Sequence, residues 1–218
     1  MEWGVFFVVL LGLALGGIVL QAMMAARHWR KVIADGDQDA LQEAVDTAFE
    51  AWRRQKPPKG YPAADWQALL TASLVALDSE RCRVSMLAMA DVRVVDRQRQ
   101  EVGAAIDVAR RVTVRMVERL LYEIPHVRFD EVQVDAYTSY FAPDGSSDTS
   151  CILVARVPRE DAATAAWDEA DEATLLRGWF TREAAPGETL DPDLDALIAP
   201  DAAAAVAAAE AALRKAST

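Results

Sequence analysis

The stretch that decides the fold covers residues 103–141 and reads GAAIDVARRVTVRMVERLLYEIPHVRFDEVQVDAYTSYF. In its first half, apolar residues recur every three or four positions, which predicts an amphipathic helix from Gly103 to Ile124. Pro125 ends that helix because proline lacks the backbone donor that a helix interior needs. From Val127 to Phe141, apolar and polar residues alternate, which predicts a long strand. A helix and a strand that each have one apolar face predict a layered α+β fold.

The neighbouring segments extend both layers. Residues 151–155 predict a second strand, antiparallel to the first, because the loop 142–147 contains a Pro-Asp-Gly-Ser turn sequence. Within residues 73–102, the spacing of apolar residues falls towards two, which predicts two or three strands. Residues 161–183 predict one or two short helices. We therefore expect a small, mostly antiparallel sheet packed with helices.

The N-terminal segment is a candidate membrane span. Residues 3–26 contain no charged side chain, and a helix of that length is about 36 Å long, enough to cross a hydrocarbon layer of about 30 Å. The alternative is a cleaved signal peptide, which has a positive N-terminal region and a shorter apolar run. Met1 and Glu2 provide no positive charge, although the small residues within 22–25 suit cleavage. We expect a single transmembrane helix over residues 3–26.

The charges that flank this span predict its orientation. Arg27, Arg30 and Lys31 follow it, and only Glu2 precedes it. Cytoplasmic flanks carry the excess of Lys and Arg, so the N-terminus is expected outside the cell membrane and the rest of the chain in the cytoplasm.

Gly12 and Gly16 form a GxxxG motif within the predicted span. Small residues at this spacing allow two membrane helices to approach closely. The motif predicts a helix–helix contact, either with a second copy of the chain or with another protein in the bilayer. The alternative is that these glycines are only tolerated, since glycine is common in membrane helices.

The remaining chain divides by composition. Apolar residues over 37–54 have helical spacing, and a Lys-Pro-Pro-Lys-Gly linker follows them. We therefore expect a juxtamembrane helical arm and linker over residues 27–60. Residues 61–183 are expected to form the cytoplasmic α+β domain. Residues 184–218 are expected to form an acidic, solvated, Ala-rich tail, with a final helix over the alanines of 202–212.

Composition excludes several classes of function. The formal net charge is −11, which disfavours a nucleic-acid partner. None of the four lysines lies within 61–183, so that domain lacks the lysine of a P-loop or of a Schiff-base enzyme. Arginine outnumbers lysine 19 to 4, and together with abundant alanine this is typical of a bacterial chain from a GC-rich genome. We expect no cofactor, no metal and no catalytic residue, and an enzyme is the less favoured class.

Arg111, Arg115 and Arg119 recur every four residues on one face of the predicted helix. Three guanidinium groups in a row are a candidate contact for an anion or an acidic partner. The alternative is a salt-bridge ladder on a solvated face, because Asp107 precedes the row by four residues and Glu123 follows it by four.

The anchor and the acidic domain together predict a membrane-anchored cytoplasmic module that binds other proteins. It would act as a scaffold, a regulator or an accessory single-span subunit of a membrane complex, with the lipid bilayer and protein partners as its contacts. The alternative is a membrane-tethered hydrolase with a carboxylate site formed by Asp130, Glu131, Asp135 and Asp144. The other interpretation is that these four carboxylates lie on a solvated strand edge and have no catalytic role.

Overall fold

The structure is a computed structural model. It describes residues 37–95, 98–141, 147–167 and 169–200, together with scattered positions between residues 12 and 32.

Two helices open the described chain, α1 (Gln38–Arg54) and α2 (Ala63–Leu70). Four strands follow: β1 (Ser73–Leu77), β2 (Arg81–Leu87), β3 (Asp91–Val95) and β4 (Gln98–Gly103). Helix α3 (Ala105–Glu118) then runs into a π-helical turn (Arg119–Glu123). The remaining elements are β5 (Glu131–Phe141), β6 (Ser147–Pro158), α4 (Arg159–Thr164), α5 (Glu172–Gly178) and β7 (Phe180–Glu183).

Five strands form one sheet in the order β1-β2-β5-β6-β7, and β3 and β4 pair separately as a ribbon. The β2–β5 pairing is parallel, and the other three pairings of the five-stranded sheet are antiparallel. Parallel neighbours need a crossover, and here α3 lies within it. The structure is therefore a mixed α+β fold with a sheet packed against helices, as predicted.

One face of the sheet is apolar and lies against the helices. Val132, Val134 and Ala136 of β5 are fully buried there. Helix α3 supplies the facing layer, with Val108, Val112 and other apolar residues on one side of it. The alternation of β5 and the periodicity of α3 thus specify the main contact of the fold.

Helix α1 belongs to the same core. The Asp37 side chain caps it by accepting a hydrogen bond from the Ala40 N–H at 3.0 Å, and Leu41, Val45 and Trp52 join the apolar cluster of the domain. The helix that was expected in a juxtamembrane arm therefore packs against the domain, and the boundary at residue 60 stays a prediction.

The opposite face of the sheet is polar and is covered by residues 184–198, which we call the strap. Arginines on β2, β6 and β7 donate to its carbonyl oxygens: Arg81 to Leu197 at 3.0 Å, Arg83 to Pro192 at 3.1 Å, Arg156 to Asp195 at 3.0 Å and Arg182 to Asp191 at 2.5 Å. An irregular segment has carbonyls without helix or sheet partners, so a polar sheet face satisfies them. Most side chains of the strap are exposed and only Leu197 among them is buried, so the strap contacts the sheet mainly through its carbonyls, and the predicted boundary at residue 184 stays a prediction.

The strap also explains why Asp135 is not on a solvated edge. Its carboxylate is fully buried beneath the strap, where it accepts from Arg83 Nε and from Gln133 Nε2, each at 2.7 Å. Burial raises the pKa of the Asp135 carboxyl, and the hydrogen bonds from Gln133 and Arg83 oppose that effect.

Two predictions fall largely outside the described residues. Within the described part of the chain, no helix combines the length and the hydropathy that a membrane crossing requires; most of residues 3–26 lies outside that part. The predicted helix over 202–212 lies entirely outside it.

Candidate functional site: a groove beside a buried arginine

Two unusual backbone features lie next to each other at the end of α3. The sequence predicted a regular helix as far as Ile124. The structure instead shows the helix widening into the π-helical turn Arg119–Glu123. Just beyond, His126 has a φ of 68°, a left-handed conformation that few non-glycine residues adopt. Both features are uncommon and occur often at functional sites. The two features therefore make the C-terminal end of α3 the candidate location of a functional site.

A groove of about 450 Å³ opens between α1 and this turn. Ala40, Ala44, Ala48 and Ala51 line it along α1, at intervals that place them on one side of the helix. The remaining lining residues are Glu43, Thr47, Trp52, Gln55, Glu123, Pro125 and His126. The groove therefore has an apolar floor of small side chains and two acidic side chains in its lining.

Arg119 contacts Trp52, one of the lining residues of the groove, but is not itself among them. Its side chain is only 4% exposed, and its guanidinium carbon lies 5.3 Å from the ring centre of Trp52 and 5.7 Å from that of Trp66. The buried Arg119 Nε makes no hydrogen bond to any described residue, and the Glu123 Oε2 atom is 3.8 Å away, beyond hydrogen-bonding distance. The Arg119 Nε atom is thus a buried donor beside two indoles, with the Glu123 carboxylate as its ion-pair partner at 3.8 Å.

This environment is unfavourable for a charged group. Burial lowers the pKa of the Arg119 guanidinium, and the positive charge of Arg115 lowers it further. A buried arginine ordinarily has a hydrogen-bonded carboxylate, whereas the Glu123 carboxylate lies 3.8 Å from the Arg119 Nε atom.

The other two arginines of the predicted row are already paired. Arg111 donates from Nε and Nη2 to the two carboxylate oxygens of Asp65, at 2.7 and 2.6 Å. Arg115 forms ion pairs with Glu118 and Glu123. Of the predicted i,i+4 ladder, the pair Arg119–Glu123 is present at 3.8 Å, whereas Arg111 pairs with Asp65 on α2 instead of with Asp107.

The carboxylates of the hydrolase alternative are not assembled into one site. Asp135 is paired with Arg83 beneath the strap, and Glu131 accepts from Arg156 Nη2 at 3.0 Å. Asp130 is exposed, and Asp144 lies outside the described residues. No group of three or more His, Cys, Asp or Glu side chains suited to a metal ion occurs within the described ranges.

The chain matches no protein family model, no curated protein and no solved structure. The groove and its chemistry are therefore the basis for the functional proposal below.

Sequence reasoning named Arg119 but missed the groove. The alanines at positions 40, 44, 48 and 51 were a visible signal, since small residues spaced by three and four leave a shallow seam along a helix. Which element faces that seam depends on how α1 packs on the end of α3, which the sequence pattern does not contain.

Proposed function

We propose that this protein is a membrane-anchored module that binds a helix of a partner protein in the groove between α1 and the π-helical turn. It would act there as a scaffold, a regulator or an accessory subunit of a membrane complex. The observation that carries the proposal is the groove itself, with its floor of alanine side chains along α1.

The shape of the groove favours a helix as the occupant. Alanine side chains on one wall allow the backbone of a second helix to approach closely, as small residues do at other helix–helix contacts. An amphipathic helix commonly binds by laying its apolar face into such a groove. Glu43 and Glu123 in the lining favour basic side chains at the edges of the incoming helix.

The membrane anchor is supported by the exposed residues of the N-terminal stretch. Leu15, Val19, Leu20 and Met23 are helical and each at least half exposed. Large apolar side chains exposed in succession are unfavourable in water and favourable in a bilayer. We place the N-terminus outside and the domain in the cytoplasm of a single-pass cell-membrane protein.

The topology is tested with protease added to intact spheroplasts. The α+β domain should stay uncut until the membrane is permeabilised. Digestion in intact spheroplasts would place the domain outside and reverse the orientation.

The groove is tested with a matched pair of substitutions at exposed alanines. Ala51→Trp fills the groove, whereas Ala163→Trp places the same side chain on α4, away from it. Partners that co-purify with the full-length protein in mild detergent should be lost with Ala51→Trp and kept with Ala163→Trp. Equal recovery with both variants would show that the groove is not the binding surface.

A further inference from the structure

We propose that the outer edge of β1 is a second binding surface, on which an extended, basic segment of a partner protein adds as a sixth strand of the sheet. The residues that form this surface lie on a different side of α1 from those that line the groove. The inference therefore goes beyond the proposed function and does not depend on it.

The two edges of the five-stranded sheet are β1 and β7, and they differ in how well they are guarded. Natural sheets protect an edge with charged side chains, short strands or bulges, because unpaired backbone groups can pair with another chain. β7 has four residues, and Arg182 and Glu183 are two of them. β1 contains no charged residue, and its register on β2 shifts only between Leu74 and Ala76. Among the described residues, none pairs with the outer side of β1, so β1 is the edge that can accept a strand.

A hollow of about 760 Å³ follows this edge. All five residues of β1 line it, together with residues of α1 on the helical side of the sheet and residues 198–200 on the side of the strap. Ligand sites commonly have volumes of about 300–1,000 Å³. A strand that pairs with β1 would lie about 4.8 Å from it, within this hollow and between its two walls.

The α1 wall of the hollow is acidic. Asp46 lines the hollow, and Asp39 and Glu43 are exposed beside it on the same helix. The ion pairs among the described residues include none of these three carboxylates. Arg53, the basic residue in the lining, already donates to the Ala72 carbonyl at 2.7 Å. The free charges along this wall therefore favour a basic occupant.

The other wall, formed by Ile198, Ala199 and Pro200, is apolar. Successive side chains of a strand point to opposite faces of a sheet, so a segment that alternates basic and apolar residues matches both walls. A second copy of this chain fits less well. Two β1 edges paired about a two-fold axis would bring the acidic α1 faces of both copies to the same side of the joined sheet, where like charges repel.

A synthetic peptide tests whether the edge accepts a strand. The probe is a fluorescein-labelled peptide of about seven residues that alternates valine and lysine, so that its two faces differ. Its binding to the full-length protein in mild detergent is measured by fluorescence anisotropy. The same peptide with every backbone amide N-methylated keeps its charge but loses its ladder donors, and should bind at least about tenfold more weakly. Equal affinity would show that charge alone attracts the probe and would overturn the proposal.

Two charge reversals test where the peptide binds. Asp46→Lys and Asp161→Lys change the net charge equally, but Asp46 lines the hollow whereas Asp161 is exposed on α4. Asp46→Lys should weaken binding about tenfold, and Asp161→Lys should change it by less than about twofold at physiological salt. Equal effects of the two reversals would rule out the β1 edge as the site.

The groove variant separates this inference from the proposed function. Ala51→Trp fills the groove and should leave the affinity for the peptide unchanged, even if it abolishes recovery of the partner. Loss of peptide binding with Ala51→Trp would place the peptide in the groove, and the proposal of a second surface would be wrong.

Discussion

Arg83 and Arg119 are two buried arginines in one domain, and replacing Arg83 with methionine should cost more stability than replacing Arg119. Arg83 donates to Asp135 and also forms an ion pair of 2.7 Å with Asp193. Removing it leaves the Asp135 carboxylate buried without its cation. Loss of one member of a buried pair costs about 3–5 kcal/mol, so Arg83→Met should destabilise the domain by that amount.

For Arg119→Met the contributions partly cancel. The substitution removes a buried Nε–H without a hydrogen bond, which contributes about 1–3 kcal/mol in favour of the variant. It also removes two contacts with the indoles of Trp52 and Trp66, each of which contributes about 2 kcal/mol because the guanidinium is buried. Methionine is long and flexible enough to fill the space between the rings. We expect Arg119→Met to lower the free energy of unfolding by about 1–3 kcal/mol, less than Arg83→Met does.

The measurement is urea unfolding of the full-length protein in mild detergent, followed by near-ultraviolet circular dichroism. Arg83→Met should lower the midpoint strongly, and Arg119→Met should lower it less. If Arg119→Met destabilises the domain as much as Arg83→Met, the reasoning from the unsatisfied Arg119 Nε is wrong.

Three further predictions concern other parts of the chain. Burial raises the pKa of both cysteine thiols, that of Cys151 to about 12; iodoacetamide should therefore label Cys82 and Cys151 only after unfolding. Unfolded thiols ionise near pH 9, and the native thiols ionise only at higher pH. The stability that the buried neutral thiols contribute should therefore be complete below about pH 9 and lost towards pH 12. Urea unfolding midpoints measured across that pH range test this expectation. Leu197→Ala should cost about 2 kcal/mol in urea unfolding, since Leu197 is the buried side chain of the strap; an unchanged midpoint would mean that the strap contributes little. Replacing Gly12 and Gly16 with isoleucine should weaken cross-linking between membrane helices, because the bulkier side chains would hold two packed backbones apart; wild-type cross-linking would rule out a packed contact there.

The central helix and hairpin were predictable because their patterns are strong and local. The alternation from Val132 to Ala136 and the stripe of α3 both match the structure, as does the antiparallel pairing of β5 with β6. The strand β7 was missed because its four residues, Phe180–Glu183, are too few to show a period and follow directly on a helix.

The candidate site was only half predictable. Arg119 stood out in a row of arginines, but its burial depends on Trp52 and Trp66, which come from two other helices. Asp135 was misjudged for a related reason. When apolar and polar residues alternate along a strand, the polar side usually faces solvent. Here the polar side lies under the strap, a segment more than 50 residues later in the sequence. Arg83 and Gln133 form hydrogen bonds with the strap. The pattern of residues within one strand contains no information on which distant segment of the chain will bury it.

The position of the strap near the end of the chain affects synthesis of the protein. Domains generally fold from the N-terminus as they are made, but Arg83 and Asp135 have no cover until residues 191–198 have been synthesised. A ribosome that stops at β7 would release a chain whose helical layer is complete and whose sheet is open on one side. Premature termination or proteolysis between β7 and residue 198 should therefore create a substrate for cellular quality control instead of a shortened working protein.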